Sequence, residues 1–434
     1  SLVTIGSFEM TTKTTEDITS LGKAAYQASR KLARLPTHDK NQVLRNLAEL
    51  LRSNQADVLA ANQEDYREAK SDGMDGSLLD RLLLTSDRLS ATAAEIQTVA
   101  ELPDPIGEVI ETTSLPNGLV TSRRRVPLGV VGSIYEARPN VTVDIFGLCL
   151  KSGNACILRG GKETVRSNTA LVALLRKALS DAGVTENAVQ FVDNPDRTLV
   201  DAMLKMNQYI DLLVPRGGAS LVRFVAENAT MPAVTGGIGV CHTYVDRAAD
   251  LKMAVEIVQN AKVRRPSICN ALDTVLMHVE VAATGLPLMA KELVASGVEL
   301  HCDSRALSIL GPNAPATAIP ANEDDWGQEF LSLTAAVKVV DSLEDALEHI
   351  ETYGSGHSEA IITEDEAAAN RFLDEVDAAA VYVNASTQFT DGGQFGLGAE
   401  VGISTQKFHA RGPMGLKELT SYKWVIVGQG QTRP

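Results

Sequence analysis

Hydrophobic positions in the first quarter of the chain recur at three- and four-residue spacings, with charged residues between them. This spacing gathers apolar side chains on one face of a helix, so it predicts an all-helical lead-in from Asp17 to about Thr98. Two apolar stripes carry the prediction: Leu44, Leu47, Leu50 and Leu51, and then Leu78, Leu79, Leu82 and Leu83.

The pattern changes after Pro103-Asp104-Pro105, where two extended runs between Gly107 and Pro127 flank Asn117-Gly118. Asn-Gly between alternating runs favours a tight turn and predicts a β-hairpin. The returning run carries Arg123-Arg124-Arg125. We interpret these arginines as the charged protection of an edge strand, with a phosphate site as the alternative.

From Leu128 onward, short apolar runs alternate with amphipathic helical segments, which is typical of parallel, doubly wound sheets. A second α/β region follows from a boundary near Gly239, and a loop rich in glycine, serine and threonine spans 385–415. The predicted strands are 130–134, 155–158, 188–192, 210–214, 274–279, 306–310, 335–340, 358–363, 381–383 and 420–427. The predicted helices are 141–150, 168–182, 197–206, 285–296, 342–350 and 366–376.

Composition narrows the class of protein. The 434 residues include 55 acidic and 40 basic side chains, a net charge of −15 that argues against nonspecific binding to nucleic acid or to an anionic membrane. The five cysteines form no C-x-x-C pair or His/Cys cluster, so neither a metal site nor a disulfide framework is expected, and a reducing cytoplasm is the expected location. No apolar run approaches the ~20 residues of a membrane span. We expect the native start at Met10.

One cysteine stands out by its position. Cys269 lies in the run Arg264-Arg265-Pro266-Ser267-Ile268-Cys269-Asn270, after a helical pattern that Pro266 stops and before a strand. Connections between elements concentrate catalytic groups, and the cations of Lys262, Arg264 and Arg265 would favour the nucleophilic thiolate. The alternative is an inert cysteine that packs as a small hydrophobe.

Two glycine-rich turns follow predicted strands and open helices. They are Arg159-Gly160-Gly161-Lys162-Glu163 and Pro215-Arg216-Gly217-Gly218, whereas no G-x-G-x-x-G follows these strands. Glycines let a phosphate approach backbone N–H groups at a helix N-terminus, and the cations could neutralise it. Because both turns fall at equivalent strand ends, we favour phosphate binding over ordinary tight turns.

Four motifs, in order, resemble the aldehyde dehydrogenase superfamily and, within it, the reductases that act on γ-glutamyl phosphate in proline biosynthesis. They are Val126-Pro-Leu-Gly-Val-Val-Gly132, Ile134-Tyr-Glu-Ala-Arg-Pro-Asn140, Arg265-Pro-Ser-Ile-Cys-Asn270 and Ala410-Arg-Gly-Pro-Met-Gly-Leu416. The resemblance implies an aldehyde dehydrogenase-like α/β fold of two doubly wound domains and a small β oligomerisation arm. It implies an NADP-binding domain (10–111 and 127–238), a catalytic domain (239–410) and the arm (112–126 and 411–434).

Catalytic roles are carried over position by position. Cys269 resembles the nucleophile, and Asn140 resembles the side-chain donor of the oxyanion hole, with the Cys269 backbone N–H as second donor. Glu329 resembles the carboxylate that holds the nicotinamide ribose. The resemblance places further cofactor contacts at Lys151, Arg159, Lys162, Arg216, Gly217 and Gly218.

The implied substrate is L-glutamyl 5-phosphate, which is reduced with NADPH to glutamate 5-semialdehyde with release of phosphate. Because this substrate is anionic, cations must offset its charge. The candidates are Arg138, Lys262, Arg265, His409 and Arg411. The preference for NADPH over NADH is implied by the family and by Arg159 and Lys162, whose cations could bind a 2′-phosphate. A homo-oligomer is expected, and an association with glutamate 5-kinase is left open.

One departure from the hydrolytic aldehyde dehydrogenases separates the functional alternatives. Those enzymes place a glutamate base two residues before a Gly-Gly pair, where this chain has Val234. Valine cannot activate water, so an acyl-enzyme would survive until it is reduced. A CoA-acylating aldehyde dehydrogenase would share this feature and is the second hypothesis. A non-catalytic dinucleotide-binding protein and a cysteine hydrolase are the others.

Overall fold

The computed structural model describes residues 15–236, 238–311 and 314–433, so the expected start at Met10 lies outside the described residues. The chain divides into two compact units. Unit 1 holds the described residues up to Thr235 together with the segment from Gly415 onward, and unit 2 runs from Gly236 to Met414. The division at residue 236 lies close to the predicted boundary at Gly239.

Unit 1 opens with five helices, which confirms the helical lead-in. The apolar stripes explain why they form, since Leu44, Leu47 and Leu51 are fully buried against the rest of the unit. The helices of unit 1 are α1 Thr15–Leu32, α2 Thr37–Ser53, α3 Gln55–Ser71, α4 Gly76–Leu82, α5 Ser86–Glu101, α6 Asn140–Lys151, α7 Val165–Asp181, α8 Arg197–Met203 and α9 Ala219–Asn228.

The centre of unit 1 is a parallel four-stranded sheet in the order β5-β4-β3-β6. All six residues of β3 are buried, as expected of a strand with neighbours on both sides and helices on both faces. Its strands are β3 Val130–Tyr135, β4 Ala155–Gly160, β5 Val189–Phe191 and β6 Leu212–Arg216.

A separate antiparallel sheet of three strands, β1-β2-β16, also belongs to unit 1. Its strands are β1 Val109–Ser114, β2 Val120–Pro127 and β16 Thr420–Val427. The predicted hairpin and final strand are confirmed, but the edge-strand interpretation of the three arginines was wrong. β2 is the central strand because β16 pairs along its second side, and Arg123 forms an ion pair with Glu111 and stacks on Tyr422.

Unit 2 is built on a seven-stranded sheet, all parallel, in the order β10-β9-β11-β8-β7-β12-β13. Its strands are β7 Cys241–Val245, β8 Leu272–His278, β9 Glu299–Cys302, β10 Ala318–Pro320, β11 Thr334–Val340, β12 Ser358–Ile362 and β13 Ala380–Val383, with a small pair β14 Ile403–Ser404 and β15 Gly412–Pro413. Its helices are α10 Leu251–Val263, α11 Val279–Ala295, α12 Ser304–Leu310, α13 Leu343–Tyr353 and α14 Glu366–Glu375.

The predicted strand at 306–310 is wrong, because these residues lie in α12. The Asp303 side chain caps this helix by accepting a hydrogen bond from the Ala306 backbone N–H at 2.7 Å. A short apolar run gives no usable periodicity, so the cap is the feature that decides its structure. The sequence patterns did not predict strands β7, β9 and β10, nor the short pair β14 and β15.

In the described part of the chain, none of the helices is long and apolar enough to cross a bilayer. The same part of the chain also holds no group of three histidine, cysteine or carboxylate side chains arranged to bind a metal ion.

Candidate active site

Cys269 lies on the connection between α10 and β8, as predicted. Helix α10 ends at Val263, Pro266 prevents its continuation, and β8 begins at Leu272. Cys269 is half-buried, whereas Cys149, Cys156, Cys241 and Cys302 are buried. It is therefore the one cysteine among the five that a small molecule in solvent can reach without opening the core.

The backbone around Cys269 is tightly enclosed. A Cβ atom at Gly239 would lie only 1.5 Å from the carbonyl oxygen of Cys269, so no other residue fits there without moving this backbone. The buried Cys241 thiol donates to the same carbonyl oxygen over 3.3 Å. Burial raises the pKa of Cys241 well above its usual range, which keeps it a thiol and a donor.

These groups share one edge of the unit 2 sheet. Cys269 precedes β8, Gly239 precedes β7, Glu329 precedes β11 and His357 precedes β12. Because the strands are parallel, all four residues gather at the amino edge. Sequence reasoning about doubly wound sheets points to the carboxyl edge instead.

Glu329 lies beside this loop through the Gly239 backbone N–H, which donates to its carboxylate at 2.9 Å. The next residue is tied in as well, since the Phe330 N–H donates to Asp273 at 3.0 Å. Burial raises the pKa of Glu329 above its ordinary value, and the hydrogen bond from Gly239 opposes that rise. The predicted cofactor carboxylate and the predicted nucleophile are thus neighbours of one glycine.

Lys262 does not fit the predicted role of gripping substrate. Its side chain is fully buried, 3.7 Å from the Asp273 carboxylate and 5.7 Å from the centre of the Phe330 ring. Burial lowers the pKa of Lys262, and burial raises that of Asp273 to about 6. The pair joins the last turn of α10 to the start of β8, so we assign Lys262 to the base of the loop and not to the substrate.

The other cations predicted in unit 2 lie in two places. Arg265 is exposed on the Cys269 loop. His409 is exposed in the late loop, with a left-handed backbone at φ 77°. Arg411 is half-buried and donates to Asp377 at 2.8 Å, so part of its charge is already matched. Of these three, Arg265 alone sits on the connection that carries Cys269.

In unit 1 the predicted phosphate turns meet at the carboxyl edge of the sheet. Tyr135 pairs with Gly160 on one side and with Arg216 on the other, so the ends of β3, β4 and β6 lie in one row. The turn after β4 leads into α7, and Gly217-Gly218 leads into α9. Both turns therefore have the strand-to-helix geometry that the sequence predicted.

Cations and carboxylates are interleaved along this row. Lys162 is exposed, and the Arg159 guanidinium donates to the Pro195 carbonyl at 2.8 Å while its buried Nε finds no partner among the described residues. The Gly218 N–H donates to the Glu136 carboxylate at 3.1 Å. A carboxylate therefore accepts from the turn that was predicted to receive a phosphate.

Asn140 is the first residue of α6, directly after β3 and its short connection. Its side-chain N–H₂ donates to Asp144, one helical turn on, at 2.9 Å. Burial raises the pKa of Asp144 to about 7. Arg138, two residues earlier, is half-buried at the same end of the sheet. Unit 1 thus brings Asn140, Arg138, Arg159, Lys162 and Arg216 to one edge.

Lys151 was predicted to contact the adenosine side of a cofactor, and its surroundings do not fit this role. It is fully buried at the end of α6 and donates to Asn41 at 2.5 Å and to the Ala100 carbonyl at 2.9 Å. These partners belong to the helical lead-in. Lys151 therefore attaches α6 to α2 and α5, and we leave it out of the cofactor site.

Three residues at these edges were missed from the sequence. Gly239 lies inside a recognised glycine-rich run, but no neighbouring residue in the sequence indicated that it contacts the Cys269 backbone. Cys241 carried no signal, because β7 was not predicted. Glu136 lies inside a recognised motif. Its negative charge near the predicted cations was the one sequence feature that could have indicated its role at this edge.

Comparison with known proteins adds family information to this geometry. The model of the aldehyde dehydrogenase family matches residues 5–312 and 326–425. The chain is 55% identical to the gamma-glutamyl phosphate reductase of Roseiflexus castenholzii, over 96% of this chain and 99% of the relative. It is 54% identical to the enzyme of the same name from Dehalococcoides mccartyi, over 96% and 98%.

A solved structure gives the same result for the fold. The crystal structure of gamma-glutamyl phosphate reductase from Thermotoga maritima superimposes with a TM-score of 0.93 at 45% identity, covering 96% of this chain and all of the other. The predicted aldehyde dehydrogenase-like α/β fold is therefore confirmed.

Proposed function

Because this chain belongs to the aldehyde dehydrogenase family, we propose that it reduces L-glutamyl 5-phosphate to L-glutamate 5-semialdehyde with NADPH, in proline biosynthesis. The observation that carries the proposal is the name shared by relatives of 54–55% identity over nearly the full chain. The accessible Cys269 on its enclosed loop supplies the matching chemistry. We place this reaction in the cytoplasm.

In the proposed reaction, the Cys269 thiolate attacks the γ-carbonyl carbon of the substrate. The new S–C bond replaces the C–O bond to phosphate, which leaves with its electron pair, and a thioester on Cys269 results. When bound, NADPH supplies the hydride that reduces this thioester carbonyl. Release of the aldehyde then returns the sulfur of Cys269 as a thiolate.

Both tetrahedral stages place negative charge on the former carbonyl oxygen. We assign its stabilisation to the Asn140 side chain and to the Cys269 backbone N–H, since preorganised donors at such an oxygen are usually a large term in catalysis. The contact from Asn140 to Asp144 supports this assignment, because it fixes the rotation of the amide. The enclosure of the Cys269 backbone by Gly239 supports the second donor.

The carboxyl edge of unit 1 fits a nicotinamide dinucleotide with a further phosphate. The buried Nε of Arg159 has no acceptor among the residues that the structure describes, and the exposed ammonium of Lys162 lies on the same turn. We assign these two cations to the 2′-phosphate side, and Arg216 with Gly217 and Gly218 to the pyrophosphate. Glu329 would hold the ribose next to the nicotinamide.

The fate of the acyl group separates this proposal from hydrolysis. Val234 is buried and its N–H donates to the Leu213 carbonyl, so the position carries no base. The CoA-acylating alternative shares this feature, but the names of the relatives above 50% identity favour an acyl phosphate. A non-catalytic protein and a cysteine hydrolase have no observation in their favour.

We assign binding of the substrate's charged groups to Arg138, Arg265, His409 and Arg411, without ranking their contributions.

For assembly, we propose that the three-stranded sheet β1-β2-β16 mediates a homo-oligomer. Tyr422, Trp424 and Ile426, at alternate positions of β16, are 45%, 54% and 54% exposed, which is a large apolar area for a free surface. Association with a glutamate 5-kinase is left open.

The test runs the reaction backwards, because glutamate 5-semialdehyde is easier to handle than the acyl phosphate. Formation of NADPH from NADP⁺ is followed with and without inorganic phosphate for the wild type and for Cys269→Ala. We expect turnover that requires both phosphate and Cys269. Turnover that continues without phosphate, or that needs CoA instead, would refute the proposal. Turnover by Cys269→Ala would do so as well.

A further inference from the structure

The segment Thr387 to Thr390, which we call the support segment, packs against the loop that carries Cys269. It follows β13 and contains a short helical turn over Thr387–Phe389, which Ser386 caps by accepting from the Gln388 N–H at 3.3 Å. Both the segment and the loop belong to unit 2. The sequence places these residues in the loop 385–415 but gives no role to any one of them.

Both polar atoms of the Gln388 side chain form hydrogen bonds with the segment that leads to Cys269. Its Nε2 donates to the carbonyl of Ala261 at 2.9 Å and to the carbonyl of Arg265 at 3.3 Å. Its Oε1 accepts from the Arg264 guanidinium at 2.9 Å. One side chain thus joins the last turn of α10 to the first two residues beyond it, across the point where Pro266 stops the helix.

Three residues of the support segment hold the other side of Cys269 through Asn270. The Asn270 side chain donates to the carbonyls of Gln388 and Thr390, at 3.3 and 3.0 Å, and the Thr387 hydroxyl donates to the Asn270 carbonyl at 2.7 Å. Cys269 therefore lies between Arg265 and Asn270, both of which are bonded to the support segment. The loop is fixed at both ends by residues more than a hundred positions later in the chain.

The surroundings of Gln388 make these bonds costly to lose. Gln388 is only 5% exposed, and Ala261, whose carbonyl accepts from it, is fully buried. A buried carbonyl that loses its donor is not rescued by water, so the backbone must move to find another partner. Ala261, whose carbonyl would lose its donor, lies in the last turn of α10, from which the chain continues to the reacting thiol.

We propose that Gln388 is a positioning residue for Cys269. It sets the path of the backbone from Ala261 to Arg265, and thereby the places of the Cys269 sulfur and N–H, without touching substrate. This inference rests on the proposed function, because it assigns Gln388 a part in a reaction whose nucleophile is Cys269. Its essential contacts are the two donations from Nε2.

The test compares Gln388→Met with Gln259→Met. Methionine keeps the length and volume of glutamine and removes its hydrogen bonds. Gln259 is a half-buried residue of α10 whose side chain donates to Ser296 at 3.0 Å, so its variant controls for the loss of a glutamine bond in the same helix. Steady-state rates of the reverse reaction, thermal midpoints and alkylation of Cys269 by iodoacetamide are measured for both.

For Gln388→Met we expect kcat to fall by ~10- to 100-fold with KM for NADP⁺ within ~3-fold, since a displacement near 1 Å can cost 10²-fold. Alkylation of Cys269 at neutral pH should slow several-fold, because the Arg264 cation is no longer held on the loop. Cys269→Ala gives the background from the four buried thiols. The Gln259→Met variant should keep wild-type kcat and alkylation.

A second variant separates the contacts of Gln388. Gln388→Glu keeps an oxygen for Arg264 but places an oxygen opposite the carbonyls of Ala261 and Arg265, so it should lose kcat as Gln388→Met does. Wild-type kcat in Gln388→Met or in Gln388→Glu would overturn the inference. A fall in kcat matched by Gln259→Met would overturn it too. If Cys269→Ala were active, the proposed function itself would fail, which distinguishes the two failures.

Discussion

The carboxyl edge of the unit 1 sheet and the amino edge of the unit 2 sheet are built in opposite ways. The first is open, with exposed Lys162, Gly217 and Gly218 beside half-buried cations. The second is crowded, with Gly239 in contact with the Cys269 carbonyl and a buried thiol donating to the same oxygen. An open, cationic edge suits the binding of a large anionic cofactor, whereas a crowded edge fixes a reacting atom.

The comparison also predicts which residues tolerate substitution. At the open edge, we expect function to depend on charge, so small changes in position should matter little. At the crowded edge, we expect function to depend on the place of one sulfur and one N–H, so a fraction of an ångström should matter. Four experiments test this difference, in order of the expected effect.

The largest effect concerns a residue of the open edge to which we assign a role in the chemical step. Asn140→Ala removes one of the two donors proposed for the oxyanion, which typically costs ~10²–10³-fold in kcat, or about 2.7–4 kcal/mol. The measurement is kcat of the reverse reaction alongside the thermal midpoint. A folded Asn140→Ala enzyme with near-normal kcat would remove Asn140 from the chemistry.

The second experiment compares one glycine from each edge. The Cβ of Gly239→Ala would lie 1.5 Å from the Cys269 carbonyl oxygen, so the loop must shift, and we expect kcat to fall by ~100-fold. At Gly218 an added Cβ meets no described atom within 4 Å, so Gly218→Ala should keep kcat and the thermal midpoint. Because we assign Gly218 to the pyrophosphate, any effect of this variant should fall on KM for NADP⁺. Equal losses in the two variants would show that the edges do not differ in this way.

The third experiment tests charge at the open edge. Arg159→Gln removes a cation that we assign to the 2′-phosphate, so KM for NADP⁺ should rise by ~10-fold, with kcat and the KM for NAD⁺ nearly unchanged. Lys177→Gln is the control, because Lys177 is exposed on α7 and pairs with Asp181 one turn away. An equal rise in the KM for NADP⁺ and the KM for NAD⁺ would mean that Arg159 does not bind the 2′-phosphate.

The smallest effect concerns the stability of the crowded edge. His357, directly before β12, is fully buried, and burial lowers its pKa to about 4. The unfolded chain has a histidine pKa near 6.5 and so binds more protons between these values. Stability from this residue is therefore complete above pH ~6.5 and is lost as the pH falls, by up to about 2 kcal/mol at pH 5.

The measurement is the urea unfolding free energy at pH 7.5 and pH 5.0. His357→Gln should lose less stability between these values than the wild type, whereas His38→Gln, at an 80% exposed side chain, should lose as much. The difference between variants is the useful quantity, because Asp144 and Asp273 have raised pKa values and shift stability in the opposite direction. No difference between the two histidine variants would mean that His357 is not held neutral.

The sequence patterns predicted the open edge better than the crowded one, and the physical reason is local. Runs such as Arg159-Gly160-Gly161 indicate both the end of a strand and the following turn within a few residues. The turns after β4 and β6 were therefore predictable. The crowded edge joins Gly239, Cys269, Glu329 and Gln388 from four separate parts of the chain. Their contacts depend on the strand order of the seven-stranded sheet, which alternation alone does not specify.

The departures from the predictions have equally specific causes. Lys151 was predicted at the adenosine side of the cofactor and Lys262 at the substrate, but Lys151 is buried against the Ala100 carbonyl and Lys262 is buried beside the Asp273 carboxylate. Charge alone does not distinguish such buried lysines from binding residues. Segment 306–310 was read as a strand because the cap at Asp303 was overlooked. The motif resemblance did indicate Cys269 and Asn140, yet it gave no indication of Cys241 or Gln388.

The central claim is that Cys269 carries the acyl group and that water does not remove it. The most direct measurement mixes enzyme, glutamate 5-semialdehyde and NADP⁺ without phosphate in a stopped-flow instrument. We predict a burst of about one NADPH per chain, no further turnover, a γ-glutamyl thioester on the Cys269 peptide by mass spectrometry, and steady turnover once phosphate is added. Continued NADPH formation without phosphate, or no acyl group on Cys269 after the burst, would contradict the account.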